Sequence, residues 1–205
     1  MQKQKEIEEQ IPESGSGKET GQGREVYEWV QALVCSVLAV VLFFTFGARL
    51  IGVDGHSMVP TLQDGDRLLV LNSALCGGYE PGNIVVLRKE TFLPTPIVKR
   101  VIAAAGQVVD IDFSSGVVYV DGQRLHEDYV NELTFTAEGM EFPLTVPEGC
   151  VFVMGDNRNH STDSRDVRLG TVDQRYIIGR AVFLAFPGPD SLTGMREYGR
   201  IGGIA

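Results

Sequence analysis

The sequence predicts a mainly β protein, with a coiled β-sheet or open barrel and a small β cap, preceded by one N-terminal transmembrane helix. Three observations predict this fold. Residues 29–48 carry no charge and are numerous enough for a helix that crosses a bilayer. After them, short apolar stretches rich in Val and Ile alternate with Gly, Pro, Asp and Asn, which is typical of strands and turns. No other long segment repeats its apolar residues with the 3.6-residue period of a helix.

The composition bounds the size of the fold and the class of partner. The 205 residues, 43% of them hydrophobic, are enough for one domain with a core and few for two. The formal net charge is -9 at pH 7. Binding to the phosphates of a nucleic acid needs clustered Lys and Arg, so a chain with this negative charge is not expected to bind nucleic acid.

The N-terminal region divides into a tail and an anchor. Residues 1–28 are predicted to be disordered, because they are charged, rich in Gly and Ser, and poor in core-forming residues. Residues 29–50 are predicted to be the transmembrane anchor, since the uncharged run covers about 30 Å as a helix. A buried core helix and a removable signal peptide are the alternatives. A signal peptide usually begins near a basic N-terminus, whereas four basic and seven acidic residues precede this run, and they leave its orientation open.

The rest of the chain is predicted to form the β domain. The stretch "QVVDIDFSSGVVYVDGQRL" predicts a hairpin with one turn near Ser115 and Gly116 and a second turn at Asp121 and Gly122. With the less regular residues that follow, it is expected to form the cap, at about 107–147, inserted between two parts of the main sheet. The other expected boundaries are 51–187 for the whole β domain and 188–205 for a flexible, Gly-rich end.

The cysteines and histidines do not indicate a metal site. The three cysteines and three histidines show no spacing typical of metal ligands, so neither a metal nor a cofactor is expected. Three cysteines are also few for a domain stabilised by disulfides. The sequence leaves open whether Cys76 and Cys150 pair.

Ser57, in "GHSMVPTL", is a candidate nucleophile. Pro60 favours an extended chain before it and Gly55 permits unusual backbone angles, so the hydroxyl could stand on a sharp, exposed turn. The G-x-S-x-G and S-x-x-K signatures of other serine hydrolases are absent. His56 is a poor base for Ser57, because neighbouring side chains in an extended chain point to opposite faces.

Other residues could take the Ser57 proton. His126 has no acidic partner at a recognisable spacing, whereas His160, in the polar run "GDNRNHSTDSR", is a genuine candidate. Lys99 offers a second chemistry, because alternation in "PIVKRVIAAA" places Lys99 and Arg100 on opposite faces of a strand and one of them should point inward. Burial lowers the pKa of a lysine, and a neutral amine near pH 7 can accept a hydroxyl proton. A Lys99 that keeps its head group in water is the alternative.

Four blocks of sequence carry a resemblance. They are "GHSMVPTL", "GDRLLV", "VKRVIAAAGQVV" and "VFVMGDNRNHSTDSRDVRLG", in this order behind one apolar anchor. They resemble the bacterial type I signal peptidases, also called leader peptidases, over most of residues 50–180. The resemblance implies a single-pass serine endopeptidase of the cytoplasmic membrane with a cytoplasmic tail and an extracytoplasmic catalytic domain. It would cleave N-terminal signal peptides from exported preproteins after small-x-small sites, so its partners would be those signal peptides and the lipid bilayer.

The resemblance also implies roles for single residues. Ser57 would be the nucleophile and Lys99 the general base, with the Lys99 amine oriented by a hydrogen bond to Ser161. The backbone N–H of Ser57 would bind the oxyanion. Four charged residues would support the site structurally without taking part in the chemistry: Asp156, Arg158, Asp163 and Arg165.

This chain departs from some members of that family at Gly55. Members that carry serine there use its hydroxyl to bind the oxyanion, so a second donor beside the Ser57 N–H is expected but not identified. Asn159 and His160 fall at positions that the family motif leaves variable, which weakens His160 as a candidate base.

The same resemblance locates the substrate and defines the rival functions. Ser57 follows Ala48 by only nine residues, which is consistent with a scissile bond just outside the bilayer. A self-cleaving repressor-type Ser/Lys peptidase would need a DNA-binding segment, and a membrane-anchored binding module would not need Ser57 or Lys99. Shallow pockets for the small side chains of the substrate are also expected. Four residues are candidates to line them and could equally belong to the core: Val53, Met58, Leu62 and Val98.

Overall fold

The computed structural model describes residues 21–190 and 193–204. The chain forms two compact units, one up to Val41 and one from Leu42 onward. Helix α1 spans Gly21–Leu42, and a π-helical turn, Phe43–Gly47, follows it. The large apolar side chains of helix α1 are exposed; 79% of the surface of Trp29 is accessible to solvent. Among the described residues one segment, Gly23–Gly47, has the length and composition of a membrane span, with a mean hydropathy of 2.3.

The boundaries of the predicted tail and anchor need correction. The helix begins at Gly21 rather than at Trp29, so the last part of the predicted disordered tail is helical; residues 1–20 lie outside the described residues. Arg24 donates to Glu28 at 3.0 Å, a pairing one helical turn apart that favours the helix. At the other end, Ala48–Gly52 pairs as a strand, so the last three residues of the predicted anchor, Ala48, Arg49 and Leu50, belong to the β-sheet.

The main sheet is antiparallel and curled, which confirms the predicted mainly β fold. The strands are β1 Ala48–Gly52, β2 Arg67–Asn72, β3 Ile84–Leu87, β4 Ile97–Ala104, β9 Cys150–Met154, β10 Val172–Asp173, β11 Ile177–Phe186 and β12 Gly202–Gly203. They lie in the order β1-β2-β11-β3-β4-β9-β10, and β12 pairs with β11. The pairing register shifts within β11 and within β4, and such irregularities increase the twist and bend of a sheet.

The cap is a second sheet, in the order β7-β6-β5-β8. Its strands are β5 Val108–Asp112, β6 Val117–Val120, β7 Gln123–Arg124 and β8 Leu144–Thr145. Both predicted turns occur, and Asp121 and Gly122 join β6 to β7 with positive φ angles of 52° and 75°. The cap residues leave the main sheet after β4 and return at β9, its neighbour, so the insertion does not interrupt the main sheet.

The centre of the main sheet is covered on both faces. All four residues of β3 are buried, and alternate ones belong to different apolar clusters. On β4, Val98 belongs to one of these clusters and Val101 to the other. A strand covered on both faces buries consecutive side chains. This is why Lys99 and Arg100 are both buried, where the sequence predicted only one of them to point inward.

The C-terminal residues are more ordered than the sequence predicted. Gly202–Gly203 pairs with β11, and Arg200 binds the carboxylate of Asp66 at 2.7 Å. Asp66 is fully buried and also accepts the N–H of Gly188. A buried carboxylate is unfavourable without hydrogen-bonded partners. The region predicted as a flexible end therefore supplies the cation that balances Asp66.

Replacing Arg200 by alanine is expected to lower the free energy of unfolding by about 3 kcal/mol, because Asp66 would stay buried without its cation. Arg175→Ala is the matched control. It breaks a 2.6 Å ion pair with Asp173 in which the arginine side chain is 88% exposed, so a loss below about 1 kcal/mol is expected. Urea unfolding of both variants measures the difference, and equal losses would contradict the role given to Asp66.

Candidate active site

Ser57 lies on the loop between β1 and β2. A turn forms around it, in which Val59 donates to the carbonyl of His56 at 3.2 Å. The backbone N–H of Asn157 donates to the carbonyl of Ser57 at 3.0 Å, and the Asn157 side chain donates to the carbonyl of His56. The backbone on both sides of the Ser57 hydroxyl is thereby attached to the polar run that follows β9.

Lys99 projects from β4 to this hydroxyl. The Lys99 amine donates a hydrogen bond to Ser57 Oγ at 2.6 Å, although the two residues are 42 positions apart. Lys99 is 3% exposed, so the alternative of a lysine with its head group in water does not hold. The three histidines are exposed, and none of their side chains is hydrogen-bonded to Ser57 within residues 21–190 and 193–204.

Burial controls the protonation of this amine. Loss of hydration lowers the pKa of Lys99 from 10.5 to about 8, against the opposing effect of the nearby carboxylates of Asp163 and Glu138. Burial and the neighbouring Asp163 also raise the pKa of Glu138 above its ordinary value. A substantial fraction of Lys99 is therefore neutral under mildly alkaline conditions, and a neutral amine can accept a proton.

The rate of any reaction that needs the neutral amine should rise with pH up to about 8. Below that value kcat/KM is expected to fall about tenfold per pH unit, because the free enzyme must lose the Lys99 proton. Glu138→Gln removes a negative charge that raises the pKa of Lys99. The acid limb of the pH profile, in which kcat/KM falls as Lys99 becomes protonated, should therefore move to lower pH. Glu141→Gln, at an exposed position in the same segment, is the control. An acid limb that stays in place in Glu138→Gln would contradict this electrostatic coupling.

Ser161 lies beside the pair, but among the described residues its hydroxyl is hydrogen-bonded to Asp163 and not, as the sequence predicted, to the Lys99 amine. Its hydroxyl donates to Asp163 Oδ2 at 2.9 Å. A Cβ atom added to Gly155 would lie 2.2 Å from Ser161 Oγ and 2.4 Å from the carbonyl oxygen of Ser57. Gly155 therefore lets the hydroxyl of Ser161 and the backbone of Ser57 approach the same point. The sequence did not predict a role for Gly155, although glycine often marks a close approach of two backbone segments.

The charged residues predicted to support the site are buried and paired. Asp156 accepts two hydrogen bonds from Arg100, at 2.9 and 2.8 Å, and one from Thr61 at 2.5 Å. Arg158 pairs with Glu127 at 2.5 Å and donates to the carbonyl of Gly155. The sequence did not predict Arg100, Thr61 and Glu127 as partners, because they come from distant parts of the chain.

Arg165 joins several parts of the loop. It donates to both oxygens of Asp163 at 2.8 Å, to the carbonyl of Arg158 at 2.7 Å and to that of Ser161 at 3.2 Å. Asp163 in turn accepts the N–H of Gly155 at 2.9 Å. The charged side chains of Arg165 and Asp163 are both fully buried. This cluster joins several parts of the loop beside Lys99, and the supporting role of Asp163 and Arg165 stays a prediction.

Two backbone N–H groups bear on oxyanion binding. Gly55 has a φ of +92°, and its N–H donates to Asp64 Oδ1 at 2.8 Å, so it is already occupied. Among the described residues no acceptor is hydrogen-bonded to the N–H of Ser57. The Ser57 N–H is thus free to bind an incoming oxygen, and a second donor is not identified.

The four predicted pocket residues belong to one apolar cluster, and they differ in exposure. Val53 and Val98 are 7% and 8% exposed, whereas Met58 and Leu62 are 1% and 0% exposed. Met58 and Leu62 therefore offer almost no surface to a ligand and pack as core. A place in the core, the alternative to a pocket lining, therefore fits Met58 and Leu62 better.

The cysteines are free thiols, including Cys76 and Cys150, whose pairing the sequence left open. Within the described parts of the chain, no group of three or more His, Cys, Asp or Glu side chains is arranged to hold a metal ion.

Comparisons with known proteins agree with the sequence motifs. The family model of signal peptidase, peptidase S26, matches residues 26–186. Signal peptidase I of Bacillus licheniformis is 35% identical over 178 residues, which cover 83% of this chain and 94% of the relative. Probable signal peptidase I-1 of Synechocystis sp. is 41% identical over 167 residues, covering 76% and 79%. A crystal structure of a signal peptidase I from Enterococcus faecalis, 33% identical, covers 50% of this chain and 96% of its own, with a TM-score of 0.42. The chain belongs to the signal peptidase family, peptidase S26, and is an enzyme of that family.

Proposed function

We propose that this chain is a membrane-anchored signal peptidase that cleaves preproteins with a catalytic dyad of Ser57 and Lys99. One observation carries the proposal: the amine of a buried lysine lies 2.6 Å from the hydroxyl of a half-buried serine. Family membership supports the reaction, the removal of signal peptides. The contact supports the choice of residues, because a nucleophile and its base must lie within hydrogen-bonding distance.

The dyad would act in two steps. In acylation, the neutral Lys99 amine takes the Ser57 proton while Oγ attacks the scissile carbonyl. The resulting ammonium then gives a proton to the departing amine, and an ester to Ser57 remains. In hydrolysis, Lys99 takes a proton from water, the hydroxide attacks the ester, and the proton returns to Ser57 Oγ. The N–H of Ser57 binds the oxyanion in both steps.

Ser161 would orient the base. Its hydroxyl proton is engaged by Asp163, so its oxygen is left to accept a hydrogen bond from an N–H of Lys99. With one amine hydrogen held there, the lone pair of neutral Lys99 can point to Ser57. Arg165 and Asp163 would keep Ser161 in place, since both are buried and bonded to the same loop.

The substrate would present an extended small-x-small site to the loop that carries Ser57. Val53 and Val98 are the residues proposed to line the shallow pockets, because they are the more exposed pair of the four candidates. Met58 and Leu62 would support these pockets from the core. An edge of the main sheet would bind the peptide backbone by adding a strand.

Helix α1 and the turn after it would form a single-pass anchor. Exposed apolar side chains, such as Leu33 at 63%, support burial in lipid. The β domain would lie on the outer side of the cytoplasmic membrane, where signal peptides emerge. Protease added outside intact spheroplasts tests this orientation, because it should digest the β domain and leave the N-terminal tail protected.

The cleavage activity is tested with the full chain purified in detergent. A preprotein with an Ala-x-Ala site should be cut after the second alanine, as seen by mass spectrometry, and replacing that alanine by phenylalanine should prevent the cut. Ser57→Ala should abolish cleavage, whereas His56→Ala, at the exposed neighbouring position, should retain it. Full cleavage by Ser57→Ala would exclude Ser57 as the nucleophile.

A further inference from the structure

An irregular segment of the cap insertion lies along the loop beside the dyad. We name residues 133–140 the strap and residues 155–166 the dyad loop. The strap contains no strand of its own, apart from a single bridge between Gly139 and Asp166. The dyad loop has one 3-10 turn, Arg158–His160, as its regular structure. The dyad loop is bonded internally through Asp163 and Arg165, whereas the hydrogen bonds of the strap go to neighbouring segments, so the strap depends on those contacts for a defined conformation.

One side chain, that of Asn159, makes most of the contacts at the start of the strap. Its Oδ1 accepts hydrogen bonds from the N–H of Phe135 at 2.9 Å, the N–H of Thr136 at 3.0 Å and the hydroxyl of Thr136 at 3.1 Å. Its Nδ2 donates to the carbonyl of Leu133 at 3.0 Å. Phe135 and Thr136 are exposed, so apolar burial does not hold this part of the strap in place.

The other end of the strap is bonded to the residues around Lys99. Arg165 donates to the carbonyl of Thr136 at 3.0 Å, and Met140 donates to the carbonyl of Arg165 at 3.0 Å. The N–H of Asp163 donates to Glu138 Oε2 at 3.2 Å. These contacts involve the same Arg165 and Asp163 that hold Ser161, so a displaced strap would move the loop at Ser161.

The strap is also attached on its far side to the hairpin of the cap. Thr134 donates its N–H to the carbonyl of Gly116 at 2.9 Å, and its hydroxyl accepts from Arg158 at 3.1 Å. Gly116 lies in the turn of the hairpin with a φ of +74°, and an added Cβ would be 2.6 Å from the Cβ of Leu133. The strap therefore connects the rigid turn of the cap sheet to the dyad loop.

We propose that the strap positions the dyad loop and that Asn159 is a positioning residue for the reaction, acting through the loop without touching the substrate. This inference rests on the proposed function of Ser57 and Lys99. Loss of the Asn159 contacts would let the loop shift beside the dyad. A small misplacement of reacting groups lowers the rate of the chemical step much more than it lowers binding.

The test compares kcat and KM for a preprotein in single-residue variants of the full chain. Asn159→Ala is expected to lower kcat about 10- to 100-fold, with KM changed less than about threefold. Asn159→Asp keeps the oxygen acceptors and loses the bond to Leu133, so its kcat should lie between those of Asn159→Ala and the natural chain. His160→Ala, at the exposed next position, should leave both constants unchanged.

A second variant approaches the strap from the cap. Gly116→Ala displaces Leu133 without altering any residue of the dyad loop, and it should also lower kcat. If both Asn159→Ala and Gly116→Ala melt like the natural chain and keep its kcat, the proposal is overturned. If Asn159→Ala does not fold, the test uses Gly116→Ala alone. A natural melting temperature and a natural kcat in Gly116→Ala then overturn the proposal. Ser57→Ala is measured alongside: activity in that variant contradicts the dyad, whereas an inactive Ser57→Ala with a natural kcat in both Asn159→Ala and Gly116→Ala contradicts only the strap.

Discussion

Replacing Lys99 by methionine is expected to lower kcat/KM for preprotein cleavage by at least about 10⁴-fold while the chain still folds. Methionine is unbranched and of similar length, so it fits the space of the buried side chain without the amine. Ser57 then loses the amine at 2.6 Å, and among the described residues no histidine side chain is hydrogen-bonded to it. Cleavage followed by mass spectrometry over hours gives the residual rate.

The same substitution is expected to stabilise the protein. The pKa of Lys99 falls from 10.5 to about 8 on folding. At about 1.4 kcal/mol per pKa unit, burial of the ammonium therefore costs about 3–4 kcal/mol. The unfolded chain binds this proton more tightly, so the cost applies in full below pH 8 and disappears as pH rises from about 8 to about 10.5. The melting temperature of Lys99→Met should exceed that of the natural chain at pH 7, and the difference should shrink at higher pH.

A matched control distinguishes the dyad lysine from lysines in general. Lys89 donates to the carbonyl of Leu169 at 2.7 Å, whereas Lys99 donates to Ser57 Oγ. Lys89→Met should keep full activity and lower the melting temperature slightly, which is the reverse of the result expected for Lys99→Met. An active Lys99→Met enzyme would exclude Lys99 as the base and return attention to His160.

Gly155→Ala is expected to inactivate the enzyme by about 100-fold or more and to lower the free energy of unfolding by about 1–3 kcal/mol. The added methyl group would meet Ser161 Oγ at 2.2 Å, the Ser57 carbonyl oxygen at 2.4 Å and Ser161 Cβ at 2.5 Å. All three atoms belong to Ser57 and Ser161, whose placement the proposed dyad needs. The contacts can be relieved only if the loop of Ser57 or the dyad loop moves.

Gly52→Ala is the control for Gly155→Ala. Gly52 precedes the same nucleophile loop, and an added Cβ would meet no atom within 4 Å. Cleavage rates and urea unfolding should therefore match those of the natural chain. Normal activity in Gly155→Ala would show that the two loops can separate without cost, which contradicts the tight placement described above.

Local patterns were enough for much of the fold and for the choice of candidate residues. The uncharged run predicted a helix long enough to span a bilayer, and turn residues such as Asp121 and Gly122 predicted the hairpin of the cap, because backbone geometry at these positions depends on neighbouring residues. The motif around Ser57 and the Lys-Arg pair in β4 selected the two atoms that the structure brings to 2.6 Å. Their roles as nucleophile and base stay a proposal until the variants are measured.

Distant contacts decided the rest. The sequence could not reveal that both Lys99 and Arg100 are buried, because covering both faces of β4 needs strands and loops from the whole domain. Nor could it assign the hydroxyl of Ser161 to Asp163, or order the C-terminal end through Arg200 and Asp66, which are 134 positions apart. Residue types and their spacing thus specified which groups could react. Only tertiary packing, which removes water from Lys99 and lowers its pKa, made that amine able to take a proton.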